Sequence, residues 1–159
     1  MTERRMELVR LLLVDDEPSF VEALSRRLRQ RGFSVEGACG GPEALARLEA
    51  EEGPDVVILD LAMPGMDGLE ALRRIKERRP LVEVVVLTGH AAVGSAVEAM
   101  KYGAFDYLMK PCDFDELLGK IGKASARKKD REDRILRARL KPYASPRDKR
   151  RIIDEIMGS

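Results

Sequence analysis

The chain has 159 residues and a mass of 17.8 kDa, which is the size of about one domain. Its formal net charge is +1, and no apolar run approaches the roughly 20 residues that a membrane-spanning helix needs, so a membrane protein is excluded. The N-terminus lacks the apolar core of a secretory signal, and Cys39 and Cys112 fit neither a metal-ligand spacing nor a disulfide framework. We therefore expect a cytoplasmic protein.

Short apolar runs alternate with amphipathic segments along the first 120 residues, which is the pattern of a parallel sheet covered by helices. The predicted strands are residues 8–14, 33–38, 55–60, 82–88 and 105–110. Between them, apolar residues recur three or four positions apart, as in helices that bury one face. In the four predicted helices these are Phe20, Leu24 and Leu28; Leu45 and Leu48; Leu69, Leu72 and Ile75; and Val93, Val97 and Met100. A fifth helix is predicted to begin near Asp113.

The polarity of each strand predicts its place in the sheet. Strands 1, 3 and 4 contain the continuous apolar runs LLLV, VVIL and VVVL, which are typical of strands buried on both faces. Strands 2 and 5 include polar residues, which favours the two edges. With right-handed crossovers, the predicted fold is α/β: a doubly wound, flavodoxin-like parallel sheet of order 2-1-3-4-5. Ligands of such sheets bind at the carboxyl ends of the strands, near the switch point between strands 1 and 3.

Polar and charged residues follow the central strands where this site is expected. They are Asp15, Asp16 and Glu17 after strand 1, Asp60 after strand 3, Thr88 at the end of strand 4 and Lys110 at the end of strand 5. Like charges ~4 Å apart repel by roughly 4 kcal/mol at an effective dielectric constant of about 20. Because one lysine cannot neutralise three or four carboxylates, a hard divalent ion is expected. Mg²⁺ is favoured, since it binds one or two carboxylates and keeps positions for water and phosphate oxygens.

Four motifs resemble the receiver domain of the two-component response regulators. They are LLLVDDEP at 11–18, VVILDLAMPGMDGLE at 56–70, VVVLTGHA at 84–91 and GAFDYLMKP at 103–111, in the order and spacing of that family. The resemblance covers roughly residues 6–125, which we predict to be the receiver domain.

The resemblance implies a role for each of the strand-end residues. It implies phosphoryl transfer to Asp60 as the phosphoacceptor, with Thr88 and Lys110 contacting the phosphoryl group and Thr88 and Tyr107 acting as a conformational switch. It also implies Mg²⁺ bound directly by Asp16, by Asp15 through an outer or water-mediated contact, and by the backbone carbonyl of Ala62. From the acidic cluster itself, we expect Asp16 and Asp60 to be the chief Mg²⁺ ligands. The Lys110–Pro111 peptide bond resembles one that is cis in many receivers, which the proline makes plausible.

The C-terminal part of the chain differs from the rest in charge. Residues 1–119 have a net charge of −7, whereas residues 120–159 have a net charge of +8. We predict that residues 126–159 form a basic helical tail, and that residues 125–134 extend the fifth helix as a solvated rod. Ile135, Leu136 and Leu140 form an apolar patch before Pro142 breaks the helix. Ser145 is then predicted to cap a closing helix that presents Ile152, Ile153, Ile156 and Met157 on one side.

The expected partners are a sensor histidine kinase or phosphotransfer protein, together with a downstream protein target or a separate output domain. A homodimer through the tail is also considered, whereas a membrane is not expected and direct DNA binding by this chain is disfavoured because the tail is too short for a DNA-binding domain. One alternative is the N-terminal receiver fragment of a DNA-binding transcriptional regulator. A second is a flavodoxin-like domain that binds FMN, which the three acids after strand 1 disfavour. A third is a metal-dependent phosphohydrolase, but Ala62 stands where its second acid is needed.

Overall fold

The computed structural model describes residues 8–62, 67–89 and 93–158, and it contains a five-stranded parallel sheet in the order β2-β1-β3-β4-β5. The strands are β1 Arg10–Val14, β2 Ser34–Ala38, β3 Val56–Leu59, β4 Glu83–Thr88 and β5 Asp106–Met109. The helices are α1 Pro18–Gln30, α2 Gly41–Leu48, α3 Gly68–Arg78, α4 Val93–Lys101, α5 Phe114–Arg139 and α6 Pro146–Gly158. The predicted fold class and strand order are confirmed. Residues 63–66 and 90–92 lie outside the described part of the chain, and all of them except residue 92 belong to two of the family motifs.

Two apolar layers cover the sheet, one on each face. Because side chains alternate along a strand, Leu11 and Leu13 of β1 point into one layer and Leu12 and Val14 into the other. The first layer is completed by α1 and α5, through Leu24, Leu28, Leu117, Ile121 and Ala124. The second layer is completed mainly by α2 and α3, through Ala44, Leu45, Leu48, Ala71, Leu72 and Ile75. Burial of both faces explains why the central strands are continuous apolar runs.

Helix α4 does not bury the face that its sequence predicts. Val97 and Met100 are 49% and 42% exposed, and the residue that reaches the core is Ala99. The predicted face also includes Val93, whose side chain lies outside the described residues. The apolar spacing therefore identifies the helix correctly but assigns the wrong face to the core.

Helix α5 continues without a break to Arg139, so the predicted boundary between residues 125 and 126 falls inside it. The prediction of a solvated rod is wrong for part of this extension. Arg131 is 6% exposed and lies 3.7 Å from the buried carboxylate of Glu83, at the start of β4. Lys128 donates a hydrogen bond of 2.9 Å to Asp55, which directly precedes β3. The charged helix thus places basic side chains against the amino ends of two central strands. The interspersed charges in the sequence do not predict these contacts.

The chain then reverses, and α6 packs against α5. Ser145 Oγ accepts a hydrogen bond of 3.1 Å from the backbone N–H of Asp148, as the predicted cap requires. Ile156 of α6 is buried, whereas Leu136 and Leu140 of the predicted apolar patch are exposed. Among the described helices, none has the length and apolar character to cross a membrane.

Candidate functional site

The predicted site residues lie at one edge of the sheet because the backbone pairing continues just past the strands. The N–H of Asp60 donates to Val14 O at 3.0 Å, and the N–H of Lys110 donates to Thr88 O at 2.9 Å. These bonds fix the residue after β3 beside β1 and the residue after β5 beside β4. The pairing of the strands therefore sets the relative positions of these residues.

Three carboxylates converge at this edge. Asp15, Asp16 and Asp60 each offer an oxygen atom, and these atoms all lie within 4.8 Å of one another. Asp15 and Asp60 are buried, with 1% and 7% exposed, whereas Asp16 is exposed. Such a group of hard oxygen donors is unfavourable without cations and is consistent with a metal site.

Backbone amides orient the two buried carboxylates. Asp15 Oδ1 accepts from the N–H of Glu17 at 2.9 Å, and Asp60 Oδ1 accepts from the N–H of Ala62 at 3.0 Å. Each aspartate thus closes a tight turn with the residue two positions later, a favoured use of this side chain. The turns hold the second oxygen of each carboxylate toward the shared space.

Lys110 supplies positive charge to the cluster. Its ammonium group donates to Asp15 Oδ2 and lies 3.8 Å from Asp60 Oδ2. The following Lys110–Pro111 peptide bond is cis, as the resemblance implies. The same ammonium group lies 4.0 Å from the centre of the Phe20 ring. The sequence pattern predicts Phe20 only as part of the apolar face of α1, although its place four residues after Asp16 puts it in the helical turn next to the acidic loop.

Thr88 and Tyr107 lie on neighbouring strands but differ in burial. Thr88 is the last residue of β4 and is buried. Tyr107 of β5 pairs in register with Val86 and is 42% exposed. Its side chain lines a surface depression of about 400 Å³ together with Val97 and Met100. The two residues therefore lie on adjacent strands, and the tyrosine faces outward in this structure.

An ion pair connects β5 to α5 beside Tyr107. Asp106 Oδ2 accepts from Lys120 Nζ at 2.5 Å, and Asp106 Oδ1 accepts from the N–H of Tyr107 at 2.8 Å. Burial acts to raise the pKa of Asp106, but these hydrogen bonds and the charge of Lys120 outweigh it and leave the pKa below its usual value. The carboxylate is therefore held in its charged form.

Comparison with known proteins gives a family match over most of the chain. The model of the response regulator receiver domain matches residues 11–122. The chain is 43% identical over 112 residues to the DNA-binding transcriptional regulator NtrC of Salmonella typhimurium, a match that covers 70% of this chain and 24% of that protein. It is 44% identical over 108 residues to the regulatory protein AtoC of Escherichia coli, covering 68% and 23%. The chain thus spans about a quarter of the length of these curated relatives.

Solved structures of single domains match over nearly their whole length. A response regulator receiver domain protein from Clostridium thermocellum is 38% identical, with a TM-score of 0.73, covering 77% of this chain and 98% of that one. The BeF3-activated DrrB receiver domain is 31% identical, with a TM-score of 0.66, covering 74% and 97%. Residues 11–122, which the family model matches, include the three carboxylates of the cluster.

Proposed function

The chain belongs to the response regulator receiver domain family, and from that premise we propose that it accepts a phosphoryl group on Asp60 from a histidine kinase or phosphotransfer protein in the cytoplasm. The observation that carries this proposal is the position of Asp60. Its carboxylate is buried at the end of β3, next to two further aspartates and 3.8 Å from the ammonium group of Lys110. A nucleophile surrounded by groups that bind cations and anions is what phosphoryl transfer requires.

The cluster fits Mg²⁺ because all its donors are carboxylate oxygens that lie close together. We assign direct binding to Asp16, Asp60 and the carbonyl of Ala62, and an outer contact to Asp15. When bound, Mg²⁺ neutralises negative charge on the phosphoryl oxygens. The exposure of Asp16 beside two buried carboxylates leaves one side of the cluster open to solvent and to a donor.

The reaction itself is an in-line displacement at phosphorus. An oxygen of Asp60 attacks the phosphorus of the donor's phosphoimidazole, and a P–O bond forms as the P–N bond breaks. The imidazole leaves with the electron pair of that bond and takes up a proton. Lys110 and the hydroxyl of Thr88 then contact the phosphoryl oxygens. Catalysis of this kind depends on positioning the reacting groups and on neutralising the charge of the phosphoryl oxygens. The strand ends position these groups, and Lys110 supplies positive charge.

Intact-mass measurement with acetyl phosphate and Mg²⁺ tests the phosphoacceptor. The wild type is expected to gain one acid-labile phosphoryl group, and Asp60→Asn is expected to gain none. Asp154→Asn, an exposed aspartate of α6, serves as the matched control and is expected to behave as the wild type. Unchanged labelling of Asp60→Asn, or acid-stable labelling on a serine or threonine, would falsify the assignment.

A second experiment tests the metal ligands. Asp16→Ala is expected to need a higher Mg²⁺ concentration than the wild type for the same labelling rate, because it loses one direct ligand. Normal labelling of this variant at limiting Mg²⁺ contradicts the role given to Asp16.

We propose protein contact as the output, with the C-terminal helices or a downstream protein as its target. A second candidate is that this receiver works as the N-terminal part of a DNA-binding regulator. The names and lengths of the curated relatives favour it, since NtrC is described as a DNA-binding transcriptional regulator and the chain covers 24% of it. Detection of the endogenous protein with an antibody against this receiver tests the second candidate, which expects a mass well above 17.8 kDa.

A further inference from the structure

The ammonium group of Lys110 has an aromatic ring on one side. Phe20 lies in the first turns of α1, and its ring centre is 4.0 Å from Lys110 Nζ. The same helix begins directly after the turn that holds Asp15, since Glu17 is its N-cap residue and donates its N–H to Asp15 Oδ1. One short segment therefore positions both the carboxylate and the ring that contact Lys110.

The cavity beside the lysine side chain is lined mostly by apolar groups. Phe20 and Lys110 line this cavity of about 170 Å³ with Leu24, Leu87 and Leu117, and the cation Arg27 also lines it. Leucine side chains offer no acceptor to an ammonium group, whereas the face of an aromatic ring attracts a cation through its quadrupole. The side chain of Lys110 is 19% exposed, so water screens this attraction less than at an open surface.

We propose that Phe20 is a positioning residue for phosphoryl transfer, which holds the Lys110 ammonium between Asp15 and Asp60. This inference rests on the proposed function of Asp60 as phosphoacceptor. During transfer, negative charge shifts from the carboxylate of Asp60 to the phosphoryl oxygens, and the ammonium must follow it. The ring face lets Nζ move sideways without losing its contact and keeps it from turning into the cavity, where Arg27 repels it. Without the ring, the ammonium samples more positions and meets the phosphoryl group less often in the reactive geometry.

The same cavity contains a second cation–ring pair, in which the cation is not Lys110. Phe114 also lines it, and its ring lies 4.0 Å from the guanidinium carbon of Arg27. Phe114→Leu removes a similar cation–ring contact and a similar amount of core packing. It therefore separates a specific effect on Lys110 from a general loss of packing between α1 and α5.

The test is the rate of phosphorylation of the full chain by acetyl phosphate in saturating Mg²⁺, which needs no kinase. Phe20→Leu is expected to be about two- to thirtyfold slower, the range that ~0.5–2 kcal/mol of cation–ring attraction gives at ~1.36 kcal/mol per tenfold change. Phe114→Leu is expected to stay within about twofold of the wild type. Phe20→Tyr keeps a ring face and is expected to restore the rate. Equal rates in Phe20→Leu and Phe114→Leu, or a Phe20→Tyr variant as slow as Phe20→Leu, overturn the proposal.

Removal of the lysine gives a second, independent test. In a Lys110→Met background, Phe20→Leu is expected to cause no further slowing, because the ring then has no ammonium to hold. Acetyl phosphate can be supplied in large excess and labelling followed for hours, so slow variants stay measurable. If Phe20→Leu lowers the rate in the Lys110→Met background as much as in the wild-type background, Phe20 acts through the core and the inference is overturned. Phosphorylation of the Asp60→Asn variant is a different outcome, which contradicts the proposed function itself.

Discussion

The carboxylate of Glu83, at the start of β4, lies 3.7 Å from the guanidinium group of Arg131 on the extension of α5, and both side chains are buried. Arg127 of the same helix and Lys76 of α3 each lie 3.5 Å from the carboxylate. Burial lowers the pKa of Lys76, and the charge of Glu83 offsets part of that effect. A single buried anion thus connects α3, β4 and the extension of α5. Since β4 ends at Thr88, the tail is attached to the strand that supplies the hydroxyl group of the site.

The first prediction concerns this connection. Glu83→Gln removes the negative charge and leaves the surrounding cations without their buried partner. We expect a loss of about 2–3 kcal/mol in the free energy of unfolding, below the usual cost of breaking a fully buried pair because the cations retain other contacts. Urea denaturation measures the loss. Hydrogen exchange is expected to increase along residues 126–139.

The matched control lies on the same helix. Asp130→Asn breaks an exposed pair with Arg134, whose closest nitrogen–oxygen distance is 3.9 Å, and is expected to cost no more than about 0.5 kcal/mol. If both variants lose the same stability, Glu83 does not anchor the helix. Faster exchange confined to α6 leads to the same conclusion.

The sequence predicts the fold and the site through rules of different kinds. The order of the strands follows from burial, because Val56 to Leu59 and Val84 to Leu87 can only be apolar throughout if both faces are covered. Once the order is known, the carboxyl ends of parallel strands meet at one edge, and the convergence of Asp15 with Asp60 follows without any measured distance.

The contacts that the sequence does not predict are side-chain contacts between elements far apart in the chain. Periodicity identifies α1 and α5 as helices but gives no information on which lysine reaches which ring or carboxylate. The pairing of Glu83 with Arg131 and the contact of Phe20 with Lys110 are both of this kind. The exposed face of α4 has a similar cause, since the spacing of Val97 and Met100 fits a buried face on any helix.

The second prediction concerns the backbone that follows the phosphoacceptor. A Cβ atom added to Gly68 would lie 2.5 Å from the carbonyl oxygen of Leu61 and 2.7 Å from its carbonyl carbon. Because this neighbour is backbone, Gly68→Ala must displace Leu61 and with it the adjacent Asp60. We expect a loss of about 1–3 kcal/mol in stability and slower labelling by acetyl phosphate.

Gly119→Ala is the matched control for this variant. A Cβ atom added to Gly119 of α5 meets nothing within 4 Å, and alanine favours a helix over glycine. This variant is expected to be more stable than the wild type by about 0.5–1 kcal/mol and to label normally. Normal labelling of Gly68→Ala contradicts the prediction that the Leu61 backbone positions Asp60.

The third prediction is a pH dependence that arises from the Asp106–Lys120 pair. The pKa of Asp106 is lower in the folded protein than its ordinary value, so the pair stabilises the fold fully above the ordinary aspartate pKa of about 3.9. As the pH falls below that value and through the lowered pKa, the folded carboxylate is protonated and the contribution is lost. The difference in unfolding free energy between the wild type and Lys120→Met is therefore expected to shrink from pH 7 to pH 3. A difference that is equal at both pH values shows that Lys120 stabilises only by packing.

The last prediction concerns how phosphorylation reaches the tail. A phosphoryl group adds negative charge and acceptor oxygens next to Thr88, so its hydroxyl is expected to move toward them. The space this opens behind β4 allows Tyr107, which is exposed in this structure, to turn inward. That movement changes the surface between α4 and α5, and α5 continues directly into the tail.

A ligand shifts an equilibrium between two states only by its different affinity for them, so Thr88 must contact the phosphoryl group better in one state than in the other. Thr88→Ala is therefore expected to accept the phosphoryl group on Asp60 but to transmit little change to α5. Hydrogen exchange from α4 to the end of α5, with and without acetyl phosphate, measures this at matched phosphorylation. Thr88→Ser, which keeps the hydroxyl, is the control and is expected to respond as the wild type. A full response in Thr88→Ala contradicts the coupling through this hydroxyl and leaves the role of Asp60 unaffected.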